Sequence, residues 1–158
     1  LTKLDITTQQ IDKRIIQGGN SIGGAISQDG KLVAVSNYKP GGVKIFDSET
    51  LELKFDLPAI GRDGKQSKTV GLVDAPGQQF VFSLFDSGEI WVVDLSTAEP
   101  VVTKFFDVGS KPYDALMSPD GRYYIAGLFG EDGMAMLDLW HLEKGVTRIL
   151  PDYGLLER

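Results

Sequence analysis

The feature that most constrains the 158-residue sequence is that it repeats itself. Segments 27–35, 74–82 and 118–126 each read as a tight turn followed by a β-rich run, and their turn glycines Gly30, Gly77 and Gly121 lie 47 and 44 residues apart. A second marker keeps the same register. Apolar strands at 43–47, 90–94 and 134–138 each close on an aspartate, Asp47, Asp94 and Asp138, again separated by 47 and 44 residues. Short β segments recurring at that period define the four-stranded blade of a β-propeller.

The middle unit can be read strand by strand from runs of β-branched and aromatic residues between turn formers. It predicts strands at 69–73, 79–84, 89–94 and 101–106, innermost to outermost, with Asp86-Ser87-Gly88 as the hairpin between the second and third. The equivalent hairpins, 38–42 and 129–133, are longer. Such loops either carry added function or merely tolerate insertion. Residues 1–5 match only a third strand and 12–17 only a fourth. The expected organisation is therefore an outer half-blade at 1–17, blades at 18–58, 59–108 and 109–150, and a lead into a further blade at 151–158. The expected fold is all-β, about three and a half four-stranded blades of an eight-bladed ring. Open edges of this kind predict either closure by missing blades or self-association of the 158-residue piece.

Composition narrows the function classes. Lys+Arg 16 against Asp+Glu 22 gives a net charge of -6, which supplies no field for a nucleic-acid backbone. The sequence contains no cysteine, so thiol catalysis and thiolate metal sites are excluded. It shows neither a signal-like N-terminus nor an apolar run of membrane-spanning length. The lone His141 cannot assemble a multi-histidine metal site, and no calcium-loop pattern accompanies the Asp-Gly turns. No metal ligands are expected. Residues 18–24 look like a glycine-rich phosphate loop but enter a strand, not a helix, which favours close strand convergence at the ring axis.

Inner strands of a propeller start at one end of the axis. Blade logic sends there Asn20 and Ser21, then Ser67 and Lys68, then residues 111–114, with Asn37, Tyr38, Lys39, Asp86 and Phe129 from the hairpins on the same face. Aromatic walls with a few cations suit a flat, carboxylate-bearing ligand. Lys68, Lys39 or Arg14 would meet its carboxylates, and Tyr38, Tyr113 or Phe129 would cover its rings. The same residues also suit a rim that meets only water.

The stretches Ile11-Asp12-Lys13-Arg14, 18–30, 70–77, Pro112-Tyr113-Asp114-Ala115-Leu116, 126–133 and Asp138-Leu139-Trp140-His141 resemble the NirF family of haem d1 biosynthesis proteins. That family is similar in fold to the haem d1 propeller domain of cytochrome cd1 nitrite reductase. The resemblance implies a bound tetrapyrrole, haem d1 or a precursor of it. It also implies a periplasmic location, with other haem d1 maturation proteins and the nitrite reductase as partners. The sequence departs from the reductase where active-site histidines align: Tyr113 followed by Asp114 stands at one such position and Leu84 near another. Nitrite reduction is therefore disfavoured. For any chemical step Asp114 is the first acid–base candidate and Tyr113 the proton donor, because a carboxylate in a partly apolar pocket resists ionisation. The competing expectation is a propeller that serves as a protein-interaction platform without a small ligand.

Overall fold

The computed structural model describes residues 1–153 and consists of strands in four antiparallel sheets. A two-stranded sheet holds β1 (Thr2–Asp5) and β2 (Gln10–Arg14). The next sheet runs in chain order through β3 (Asn20–Ile26), β4 (Leu32–Lys39), β5 (Val43–Asp47) and β6 (Leu53–Leu57). It is followed by β7 (Thr69–Ala75), β8 (Gln79–Leu84), β9 (Glu89–Asp94) and β10 (Val101–Phe105), and then by β11 (Pro112–Met117), β12 (Tyr123–Leu128), β13 (Met134–Asp138) and β14 (Val146–Ile149). Each four-stranded sheet is a meander of sequential neighbours, the propeller blade that the repeat predicts. A 3₁₀ turn, Leu142–Lys144, interrupts the last connection among the described residues. Residues 154–158, part of the expected lead into a further blade, lie outside the described residues.

The repeated aspartates explain why the blades keep their register. Asp47 accepts the N–H groups of Glu49 and Thr50 at 2.9 Å, and Asp94 that of Ser96 at 2.8 Å. Asp138 accepts Trp140 N–H at 3.0 Å. Asp5 does the same with Thr7 and Thr8, so the half-blade obeys the rule too. Each carboxylate closes the turn that follows its strand, as short acidic side chains do. The Ser-x-Asp-Gly turns are likewise copies: Ser27 and Ser118 donate to Asp29 and Asp120, whose carboxylates accept Lys31 N–H and Arg122 N–H at 3.1 Å.

Alternation along the strands sorts side chains into two cores. Phe80, Phe82 and Leu84 of β8, with Trp91 and Val93 of β9, face the preceding blade and pack with Ala34, Val43 and Ile45. Val81, Ile90 and Val92 point the other way, toward Tyr124, Ala126, Ala135 and Leu137 of the following blade. The middle blade is therefore apolar on both faces, and each fully buried large side chain contributes about 1.5–3 kcal/mol. The outer faces of the flanking blades leave Ile26 59% and Leu116 55% exposed.

The fourth strand of the half-blade differs from the expected 12–17. β2 begins at Gln10 because the Asp5-capped turn reverses the chain early and sets Asp5 opposite Gln10. It ends at Arg14. Gln17, expected within that strand, is instead buried, with its amide donating to Asn37 at 3.0 Å.

Candidate functional site

The end of the arc where inner strands begin is built by the repeat. Tyr38, Phe85 and Phe129 occupy the same place, just after the second-strand core, in three successive blades, 47 and 44 residues apart. The two rings of the later blades lie 6.2 Å apart by centroid. Tyr113, from the start of β11, completes a triangle with them, 5.6 Å from Phe85 edge-on and 6.0 Å from Phe129. Two lysines lie against the Tyr38 and Phe85 rings. Lys68 Nζ lies 5.5 Å from the Tyr38 ring and 5.1 Å from Phe85, and Lys111 Nζ lies 5.9 Å from Phe85. The result is a row of aromatic faces and ammonium groups, stabilised by ring quadrupoles meeting cations and ring edges.

The two lysines are not equivalent. Lys68 donates to Asp86 at 2.8 Å, and Asp86 also accepts the Lys68 backbone N–H at 2.9 Å. The bond to Asp86 raises the Lys68 ammonium above its usual value despite some desolvation. Partial burial acts to raise the Asp86 carboxyl, but the bonds and charge of Lys68, with a smaller pull from the charge of Lys111, outweigh it and leave that group lowered. Lys111 forms no ion pair among the described residues.

Phe129 is 63% exposed, yet its loop is pinned. Its N–H donates to the Lys111 carbonyl at 2.9 Å, and Gly130 N–H donates to Ser110 O at 3.0 Å. Glu131 accepts Ser110 N–H and a bond from Arg148 at 3.1 Å, and these bonds, Ser110's first, hold its carboxyl below the ordinary range. A Cβ at Gly130 would displace the Ser110 side chain, whose Oγ and Cβ lie within 3 Å of it. This longer hairpin is thus a fixed platform.

All three inner strands are also bulged near this end. Val70 pairs with Ser83 and Val73 with Val81, so Gly71 and Leu72 stand opposite the single residue Phe82. Pro112 pairs with Leu128 and Ala115 with Ala126, so Tyr113 and Asp114 stand opposite Gly127. The β3–β4 pair has two irregularities, one that leaves Tyr38 of β4 between Asn37 and Lys39 unpaired and one at Ile22 of β3, between Ser21 and Gly23. Bulges of this kind re-aim side chains beside functional sites.

The sequence-derived candidates fall into distinct places. Tyr38, Lys68, Tyr113 and Phe129 come together in the row just described. Asp114 adjoins it on the bulge and is exposed; the partly apolar surroundings expected for its carboxylate are not formed by this arc. Asn20 and Ser21 are exposed at the start of β3, opposite Lys39 and Asn37 of β4. Asn37 is only 3% exposed and is engaged by Gln17. Arg14 stands on β2, exposed, and its guanidinium donates to Thr2 Oγ1 at 3.3 Å. His141 is remote from the row, in the turn after β13, 3.1 Å from Glu143. Phe85 was missed by the sequence reading, although the repeat spacing marks it: it lies one period from both Tyr38 and Phe129.

The chain is thus a propeller arc with an aromatic and cationic rim at the end where its inner strands begin, and its family follows from comparison. The model described as Cytochrome D1 heme domain matches residues 1–158, and the chain belongs to that family. Within it, the chain is 70% identical over its whole length to Protein NirF of Pseudomonas aeruginosa, covering 41% of that protein. It is 59% identical to Protein NirF of Stutzerimonas stutzeri over 98% of the chain and 40% of that relative. The chain thus spans about two fifths of the length of the curated relatives it matches. Among solved structures, dihydro-heme d1 dehydrogenase NirN in complex with DHE superimposes with a TM-score of 0.77 at 26% identity, over 94% of this chain and 31% of that one.

Proposed function

We propose that this arc supplies part of a tetrapyrrole site and that the protein acts in haem d1 biosynthesis, maturing or carrying a haem d1 precursor for nitrite reductase. The observation that carries the reading is the cluster of Tyr38, Phe85, Tyr113 and Phe129 rings with the ammonium groups of Lys68 and Lys111 beside Tyr38 and Phe85. A macrocycle bearing peripheral carboxylates needs that combination. Membership of a haem-domain family and the likeness to NirF and to a haem d1 dehydrogenase support it. The same relationship supports a periplasmic setting, with related maturation proteins and cytochrome cd1 nitrite reductase as partners. In a processing role, Asp114 would exchange a proton with the ligand edge and Tyr113 would donate one; in a carrier role, both would only orient it.

The test is titration of haem d1, or of a precursor porphyrin, into the protein carrying the whole propeller, followed by absorption spectroscopy. Tight binding with a shifted spectrum is expected. Phe129→Ala should weaken that binding about tenfold while lowering stability by only about 0.5–1.5 kcal/mol, since Phe129 is 63% exposed and its ring packs on those of Phe85 and Tyr113. No spectral response at micromolar protein would remove the tetrapyrrole reading and leave a protein partner as the occupant of the rim.

A further inference from the structure

Lys111 combines three observations that its role as a loop residue does not explain. Its ammonium lies against the Phe85 ring, 5.9 Å from the centroid, on the same row as Lys68 but without a carboxylate partner among the described residues. Its backbone has φ 54°, a left-handed conformation that a lysine adopts at a cost. That conformation is locked from outside, because the Lys111 carbonyl accepts Phe129 N–H at 2.9 Å while Ser110 on one side accepts Gly130 N–H and donates to Glu131. The neighbouring blades hold Asn20 and Ser67 at the same repeat position, so the cation is particular to this blade.

Charge balance separates the two lysines further. Lys68 spends its ammonium on Asp86, and the pair is neutral toward a ligand. Lys111 forms no ion pair among the described residues; its charge only adds at a distance to the pull of Lys68 on Asp86, and its ammonium lies by the buried Phe85 ring, which packs against Tyr113 and the exposed Phe129. A cation held in a strained backbone over an aromatic platform is suited to an anion attached to a flat ring.

We infer that Lys111 binds a carboxylate of the ring ligand that lies on the Phe85, Tyr113 and Phe129 platform, while Lys68 is a structural cation tied to Asp86. The inference rests on the tetrapyrrole reading of this site and adds to it the anchor and the ligand group it recognises. Lys111 sets specificity for a side-chain acid over the corresponding ester, and its left-handed backbone aims the ammonium at that acid.

The test compares two probes, mesoporphyrin IX and its dimethyl ester, in the same dilute detergent, binding to the protein carrying the whole propeller. Lys111→Asn removes the charge and keeps a residue that tolerates positive φ, so the fold is preserved and the melting temperature should match or exceed that of the wild type. The variant should bind the free acid about tenfold more weakly, the scale of one lost charged hydrogen bond, and the ester within about twofold of wild type. The salt dependence of free-acid binding should also flatten, and Lys111→Arg should restore the preference for the acid. Equal weakening of both probes would show Lys111 to be part of the ring platform only, and no weakening of either would remove it from the site; both results overturn the inference while leaving the tetrapyrrole reading intact. Failure of the wild type to bind either probe would overturn that reading and this inference with it.

Discussion

At the scale of single residues, the rim separates side chains that hold the fold from those free to act on a ligand. Asn37 is buried against Gln17, and Lys68 is spent on Asp86, whereas Asp114 is exposed on a bulge and its carboxylate has no hydrogen-bond partner among the described residues. Replacing Asp114 by Asn is therefore expected to change stability by no more than about 0.5 kcal/mol, the range for surface substitutions. If Asp114 acts on the ligand, haem d1 production in a complemented deletion strain should fall while the purified variant melts at the wild-type temperature. Retained production together with a markedly lower melting temperature would make Asp114 a structural cap instead.

At the scale of strands and sheets, the contact between neighbouring blades turns on one phenol. The Tyr124 hydroxyl, fully buried, shares a 2.8 Å hydrogen bond with Ser83 Oγ and donates at 2.8 Å to the carbonyl of Gly71, so β12 is tied to both β8 and β7 across the blade interface. Burial pushes this phenol well above its ordinary range and keeps it protonated as a donor. Gly71 takes φ 60° at its bulge, and a Cβ there would meet the Tyr113 carbonyl at 2.5 Å and Tyr124 Oη at 2.8 Å. Tyr124→Phe should cost about 1–3 kcal/mol, because it leaves the Ser83 hydroxyl and the Gly71 carbonyl without their partner in a dry interface. The urea midpoint should drop at constant slope, and a changed slope would mean that the blades no longer unfold together.

At the scale of the whole arc, stability against acid follows from the repeated turn carboxylates. Bonds from Thr8 N–H first for Asp5, Thr50 N–H first for Asp47, the Ser96 hydroxyl first for Asp94 and Arg122 first for Asp138 lower these groups. The hydroxyls of Ser27 and Ser118 do so for Asp29 and Asp120, and Asp29 reaches about 2. A carboxyl depressed in the folded state adds stability that is complete above its unfolded value and is lost as pH falls through the folded one. The melting temperature should therefore be level from about pH 7 to pH 5 and fall below about pH 4. The decline should respond little to salt, since short turn bonds and not distant charges carry it.

The sequence by itself determined the blade. Turn chemistry and two-residue alternation are local, so Gly30, Gly77 and Gly121 with the strand-closing aspartates fixed strand number, order and period, and the same period marked the ring positions Tyr38, Phe85 and Phe129. The departures in detail were local competitions, as where the Asp5 turn started β2 early. Tertiary structure alone decided which charges are spent and which are free. Lys68 and Lys111 are offset by one position in the repeat, and only Lys111 precedes a proline, but neither local fact says which ammonium is paired. The difference arises because Asp86, on the next hairpin of the blade, reaches one lysine, while the pinned 129–133 loop holds the other in a left-handed backbone. The bulges that set Tyr113 and Asp114 opposite Gly127 were equally hidden, because strand register is a property of the pair and not of either strand alone.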